Sequence, residues 1–204
     1  MRPVYTLFAL AGAAVVGCGG GSGSTSPGTL TVTVTSHQVT AGTSVQASAT
    51  IGGSPAPNVS WSTSDSHIAT VTSTGLITGA LKGGAVIYAT SGGVTAQTNV
   101  VVVPGAPVGI QIVSGSGQTA ARSATLPDPL CTAVVDAGGN WLTGITVTYT
   151  VATGGGAVAQ PTSPATNGSG IAISGLWTLG SAAGQQTVTA SASVGSVTFT
   201  ANAQ

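Results

Sequence analysis

Very few side chains in this sequence can do chemistry. Two histidines, three aspartates, three basic residues and two cysteines are spread over 204 residues, and glutamate is absent. The nearest approach to a nucleophilic relay is Asp65-Ser66-His67. A triad needs serine, histidine and acid to converge. Neighbours on an extended strand point to opposite faces, which keeps these three from stacking, and the segment reads as a polar turn. Asp128 and Asp136 flank one short run and fall short of the six to eight oxygens that calcium takes. Asp136, in Asp-Ala-Gly-Gly-Asn, reads instead as a hairpin residue accepting its own backbone amides. Zinc lacks ligands. Gly154-Gly155-Gly156 has neither the helix nor the lysine of a phosphate loop. The expectation is no catalytic residue, no metal and no cofactor.

Charged residues are 3% of the chain, against about a quarter in an ordinary soluble domain. Lys82 and Arg122 face three aspartates beyond the first segment, so there is no basic footprint for nucleic acid. Disorder combines low hydrophobicity with high net charge. Here hydrophobic residues are 42%, enough to bury a core.

The tryptophans divide by context. Trp61 sits in Val59-Ser60-Trp61-Ser62-Thr63 and is expected to plug a core against Ile68, Val71 and Ile87. Trp177 ends an alternating run through Ile171, Ile173 and Gly175 and is expected to pack on a sheet face. Trp141 follows Gly139-Asn140 in a hairpin. An exposed indole there is the candidate contact residue, able to stack on a sugar or anchor a partner, or else to fold over its own hairpin. Cys131 reads as a small apolar residue, with an intermolecular disulfide as the sharper alternative.

These residues hang on a simple grammar. Leu30-Thr31-Val32-Thr33-Val34 and Val45-Gln46-Ala47-Ser48-Ala49 alternate strictly, as half-buried strands do. Glycine and proline pairs interrupt such runs at the spacing found in β-sandwiches. No sustained helical periodicity appears, so the fold is read as all-β, two tandem sandwiches. Residues 103–107, Val-Pro-Gly-Ala-Pro, stiffen a junction, which places modules at 28–104 and 105–204.

The start is different. Met1-Arg2 precedes an apolar run from Val4 to Val16, shorter than the roughly 18–20 residues of a membrane-spanning helix and suited to a secretory signal over 1–17. Val15-Val16-Gly17-Cys18 resembles a bacterial lipobox. That resemblance implies cleavage before Cys18 and lipidation of its sulfur and new amino group, and several acyl chains give stable membrane attachment. Residues 18–27 then read as a flexible Gly/Ser tether spanning about 17 Å. Gly19 is not the aspartate that holds many lipoproteins at the inner membrane, so the resemblance favours the outer membrane or cell surface.

The first module resembles the bacterial immunoglobulin-like domain, group 2. The carrying residues are 59–65, Ile68-Ala69-Thr70-Val71, Gly75-Leu76-Ile77-Thr78-Gly79 and 83–89, with Gly75 and Gly79 expected at turns of positive φ. The second resembles the related group 1, or invasin-like, domains through 126–130, 135–140, 144–149, Trp177-Thr178-Leu179-Gly180 and 183–188. It departs from that pattern at Trp141, where proline is usual, and at Asn167, where an acidic residue often sits. The resemblances imply a non-catalytic, lipid-anchored envelope protein whose Ig-like modules serve adhesion or display. The partners implied are a membrane through the N-terminal lipid and a surface glycan or protein. A pure spacer or assembly subunit, and a carbohydrate-binding accessory module, stay open beside that reading.

Overall fold

A computed structural model describes residues 28–204. The expected signal over 1–17, the expected lipidation at Cys18 and the expected tether over 18–27 lie outside the described residues. The described chain divides into two compact units, one ending at Val103 and one beginning at Pro104. Both are built of strands and turns, with no helix among the described residues.

The first unit contains β1 (Leu30–Val34), β2 (Gln38–Thr40), β3 (Ser44–Ile51), β4 (Ser54–Pro55), β5 (Ser60–Thr63), β6 (Ala69–Val71), β7 (Leu76–Gly79), β8 (Gly83–Ser91) and β9 (Val94–Val103). One sheet runs β1-β3-β7-β6, with β4 beside β3; the other runs β2-β9-β8-β5. Period-two patterning decides which side chains meet between them. Ala85 and Ile87 of β8 lie beside Val100 and Val102 of β9 in one sheet and share an interior cluster with Ala47 of β3 in the other, while Ala89 joins Leu30 and Ala49 in a second cluster, all buried. The outward partners are mostly hydroxyls, and pairs such as Ser44–Thr78 and Thr90–Thr95 bond across strands at 2.8 Å.

Two expectations for this unit need correction. Ile87 is fully buried, but Trp61, Ile68 and Val71 are half-buried residues packed against the core rather than inside it. The reason is position: β5 is the edge of its sheet, so one side of the Trp61 ring stays at the surface while the other touches two apolar clusters. Gly75 has φ +79°, and a Cβ there would lie 3.0 Å from the Trp61 ring and 2.7 Å from the Ala47 carbonyl. Gly79 is not at a positive φ. It lies in β7, where a Cβ would crowd Val39 and Val102 at 3.0–3.2 Å, so its smallness serves sheet-to-sheet packing.

The second unit contains β10 (Pro107–Ser114), β11 (Gln118–Ala120), β12 (Cys131–Asp136), β13 (Thr148–Thr153), β14 (Gly156–Val158), β15 (Ile171–Ile173), β16 (Trp177–Leu179), β17 (Gly184–Ala192) and β18 (Gly195–Ala203). Its sheets run β10-β12-β15 and β11-β18-β17-β13, with a small β14-β16 pair. The core is bulkier than in the first unit: Trp177, Phe199, Leu126, Leu130 and Val188 are fully buried, and Tyr149 meets Phe199 at 6.0 Å between ring centroids.

Trp177 is therefore interior, but the run leading to it is not one strand. Ile171–Ile173 pairs with β12, whereas Trp177–Leu179 pairs with β14. The chain switches partners at Ser174, whose Oγ accepts from the Leu130 amide at 3.1 Å and donates to the Gly175 carbonyl at 2.7 Å. A serine hydroxyl satisfies the backbone where the ladder stops.

Candidate functional site

Asp65, Ser66 and His67 lie in a turn that ends at Ala69, whose amide donates to the Asp65 carbonyl at 3.1 Å. The polar turn expected of them is present, but the acid and imidazole, expected to stay apart, do meet. Asp65 Oδ1 accepts the His67 amide at 2.8 Å and stands 3.4 Å from His67 Nδ1. The physical reason is the aspartate's preference for capping an amide two residues ahead. The two side chains are 44% and 87% exposed. An activated nucleophile needs a sheltered base that a third group orients; this imidazole stands in solvent. His37 is elsewhere, with Nδ1 2.8 Å from the Asn99 carbonyl.

Asp128 and Asp136 do not converge on a common site. Asp128 exchanges main-chain bonds with the Gln118 side chain at 2.9 and 3.1 Å. Asp136 is 2% exposed, and its carboxylate is filled by protein donors. Oδ1 accepts from the amides of Gly138 and Asn140 at 2.9 Å, Oδ2 from the Gly105 amide at 2.7 Å, and both oxygens from Asn140 Nδ2 at 3.0 Å. Burial pushes this carboxyl up, but the amides of Gly105 and Asn140, with the Asn140 side chain and Gly138, outweigh it and hold it below its ordinary value. Among the described residues no three histidine, cysteine or acidic side chains cluster as metal ligands. Cys131 is half-buried on β12, its sulfur 3.9 Å from the Pro129 carbonyl.

Trp141 is 37% exposed and bridges Val135 at the end of β12. Gly170, at φ +79°, lies against it so closely that a Cβ there would come 2.5 Å from Trp141 Cβ. The Asn167–Gly170 turn is held by Asn167 Oδ1, which accepts from the amides of Ser169 and Ile171 at 2.9 and 3.2 Å. Gly170 thus packs against the Cβ and backbone of Trp141, and Trp141 stays exposed at the surface. Gly154–Gly156 follows β13 and has other neighbours, Gln186, Thr178 and Gly180.

Of three polar clasps in the second unit, the sequence showed one in part, the Asp136 hairpin, and left the other two unseen. Asp136 reaches back to Gly105 as well as along its own hairpin. Tyr149 Oη is 2.8 Å from Thr132 Oγ1 and donates to the Ala172 carbonyl at 2.9 Å, tying the two sheets together. Burial pushes its phenol up to about 12, although the Thr132 bond pulls the other way. Gln186 is 1% exposed; it accepts from the Gly180 amide at 2.8 Å and donates to the Ala182 carbonyl at 2.7 Å. Its signal was parity: Gln186 shares the inward side of β17 with Val188 and Ala190.

The surface offers no enclosed site in these places. A depression of about 270 Å³ on the second unit is lined by Gly117, Gln185, Thr200, Ala201 and Asn202, and one of equal volume on the first by residues of β8 and β9. Both fall below the volume of ordinary small-molecule pockets, and neither contains a titratable side chain.

Residues 28–102 match the bacterial Ig-like domain (group 2) family; the first unit is such a domain. Comparison with curated proteins finds no match. Among solved structures, the D00-D0 domains of intimin align over 85% of this chain and 96% of theirs, with 14% identity and a TM-score of 0.48. Domains 4 and 5 of the S-layer protein SbsC align over 87% and 98%, with 17% identity and a TM-score of 0.38. The Escherichia coli adhesin FdeC aligns over 84% and 63%, with 22% identity and a TM-score of 0.40.

Proposed function

We propose that this protein is a non-catalytic, lipid-anchored component of a bacterial cell envelope, whose Ig-like modules display a contact surface away from the membrane. The observation that carries the reading is where the reactive groups sit. The one acid–imidazole pair is open to solvent, and the one buried carboxylate is filled by protein amides. The group 2 Ig-like match supports a module of scaffold type, and the lipobox-like Val15-Val16-Gly17-Cys18 followed by Gly/Ser residues supports an anchor at the outer membrane or cell surface. In this reading the second unit is an invasin-like, group 1 module. Trp141 is its contact residue, and the partner is a surface glycan or a protein, not a nucleic acid.

Membrane fractionation of the Cys18→Ser variant tests the anchor. The expected outcome is release into the soluble fraction; unchanged detergent partitioning contradicts lipidation. Binding of the native protein to a glycan-and-matrix array, compared with Trp141→Ala, tests the contact. Retained binding by the variant removes Trp141 from the role, and a native protein that binds nothing leaves a pure spacer as the better reading.

A further inference from the structure

Each unit joins a short early strand to its last strand in parallel, the only parallel pairs among the described strands. In the first, β2 lies along the end of β9 with Gln38, Val39 and Thr40 opposite Val101, Val102 and Val103. The pair is closed at both ends by main-chain bonds, Val101 N to His37 O at 2.8 Å and Ala41 N to Val103 O at 2.9 Å. In the second, β11 lies along the end of β18 with Gln118, Thr119 and Ala120 opposite Ala201, Asn202 and Ala203. Its closing bonds are Gly117 N to Thr200 O at 2.7 Å, Gln204 N to Ala120 O at 3.0 Å and Arg122 N to Gln204 O at 3.1 Å.

We propose that these two pairs are shear clamps, which let each unit resist tension applied along the chain. The argument is geometric. In a parallel pair of early and last strands, the chain enters at one end of the ladder and leaves at the other. Pulling the two chain ends apart slides one strand along its partner. The ladder bonds, evenly spaced in a parallel pair, must then strain together. An antiparallel pair pulled from adjacent ends opens one bond at a time. The interior reinforces the ladder, since Val39 is fully buried and Val102, Ala201 and Ala203 are 2% exposed, keeping replacement water away. The Gln118 side chain also ties β11 to Gly115 and Asp128. Such a device has a use if the display reading above holds, because a surface contact would pull against the membrane anchor; the clamp itself rests only on the strand pairing.

Single-molecule extension of the mature chain, held at residues 28 and 204, tests it. The two units identify themselves by the length released, roughly 270 and 360 Å at about 3.6 Å per residue. Forced unfolding follows the unfolding rate. Ala41→Pro removes the closing donor of the first clamp and Arg122→Pro that of the second. Each is expected to raise the unfolding rate under end-to-end load about tenfold in its own unit alone, and by much less in denaturant without load. An equal rise under both conditions overturns the proposal. The native sequence supplies an independent arm. Handles at Ala183 and Gln204 pull the antiparallel β17–β18 pair from adjacent ends, Gly184 being opposite Ala203. The second unit is expected to yield at clearly lower force there than end to end; equal forces overturn the clamp. Failure of membrane anchoring or of ligand binding leaves these results unaffected, so the two readings fail separately.

Discussion

The two units hide polar groups very differently. In the first, Ser91 is the one buried polar residue among those described, while the second buries Thr132, Asp136, Asn140, Thr166, Ser174 and Gln186. The difference follows the connections. The first unit joins its strands mostly by short turns, and its ladders satisfy most backbone groups. The second carries long segments without extended ladders, over 121–130, 137–147 and 159–170, and buried main-chain groups there must find partners. Side-chain clasps supply them: Asp136 for Gly105, Gly138 and Asn140, Thr166 Oγ1 for the Ile145 amide at 3.0 Å, and Gln186 for Gly180. One unit is held chiefly by alternating apolar side chains, the other by apolar packing plus polar pins.

Substitutions in matched positions sharpen that contrast. Trp177→Ala empties a fully buried site and should cost the second unit about 3–5 kcal/mol, read from its denaturant midpoint. Trp61→Ala removes a half-buried ring from an edge strand and should cost the first unit about 2 kcal/mol; equal losses would mean that edge position does not matter. Asp136→Ala strands three amides at once, that of Asn140 buried and those of Gly105 and Gly138 part-buried, and should cost the second unit about 3 kcal/mol while the first unit's midpoint stays in place. Tyr149→Phe, which removes two hydrogen bonds between sheets, should cost about 1–2 kcal/mol. Trp141→Ala is expected to cost about 1 kcal/mol or less; a loss as large as that for Trp177 would make the ring structural and remove the candidate contact.

The Asp136 and Tyr149 clasps carry a sign with pH. Asp136 is held below its ordinary carboxyl value, so its stabilisation is complete above the unfolded value near 3.8 and fades as pH falls below it. Tyr149 is raised to about 12, so its phenol favours the fold below the ordinary value of 10.0 and ceases to do so as pH climbs from there to about 12. Tyr149→Phe should flatten the alkaline limb of the stability profile, measured by urea unfolding.

Much of the fold was legible because period-two patterning survives local accidents. β1 and β3 alternate in sequence and their burial follows that alternation; β8 and the end of β9 carry continuous apolar runs whose burial is nonetheless period-two. The misreadings arose where hydrogen bonding overrode the pattern. Ile171 to Trp177 alternates, yet Ser174 breaks it into two strands with different partners. Asp65 to His67 is the polar turn expected, but nothing in the spacing announced the amide cap that brings the acid to the imidazole. The full depth of Trp61 burial depended on β5 being an edge, which is a matter of strand order. At the candidate contact, the Trp141 hairpin could be read from Gly139-Asn140, but the close approach of Gly170 to the Trp141 Cβ and backbone comes from 29 residues on in the chain and depends on tertiary closure. The reach of Asp136 to Gly105 was hidden for the same reason.

The claim that polar pins hold the second unit and not the first is tested most directly by urea unfolding of the protein at pH 7 and pH 3, followed through amide signals assigned to each unit. The account predicts that acid lowers the midpoint of the second unit, that Asp136→Ala abolishes most of this loss, and that the acid shift of the first unit is the same in both proteins. An acid shift of the second unit that survives Asp136→Ala unchanged would contradict it.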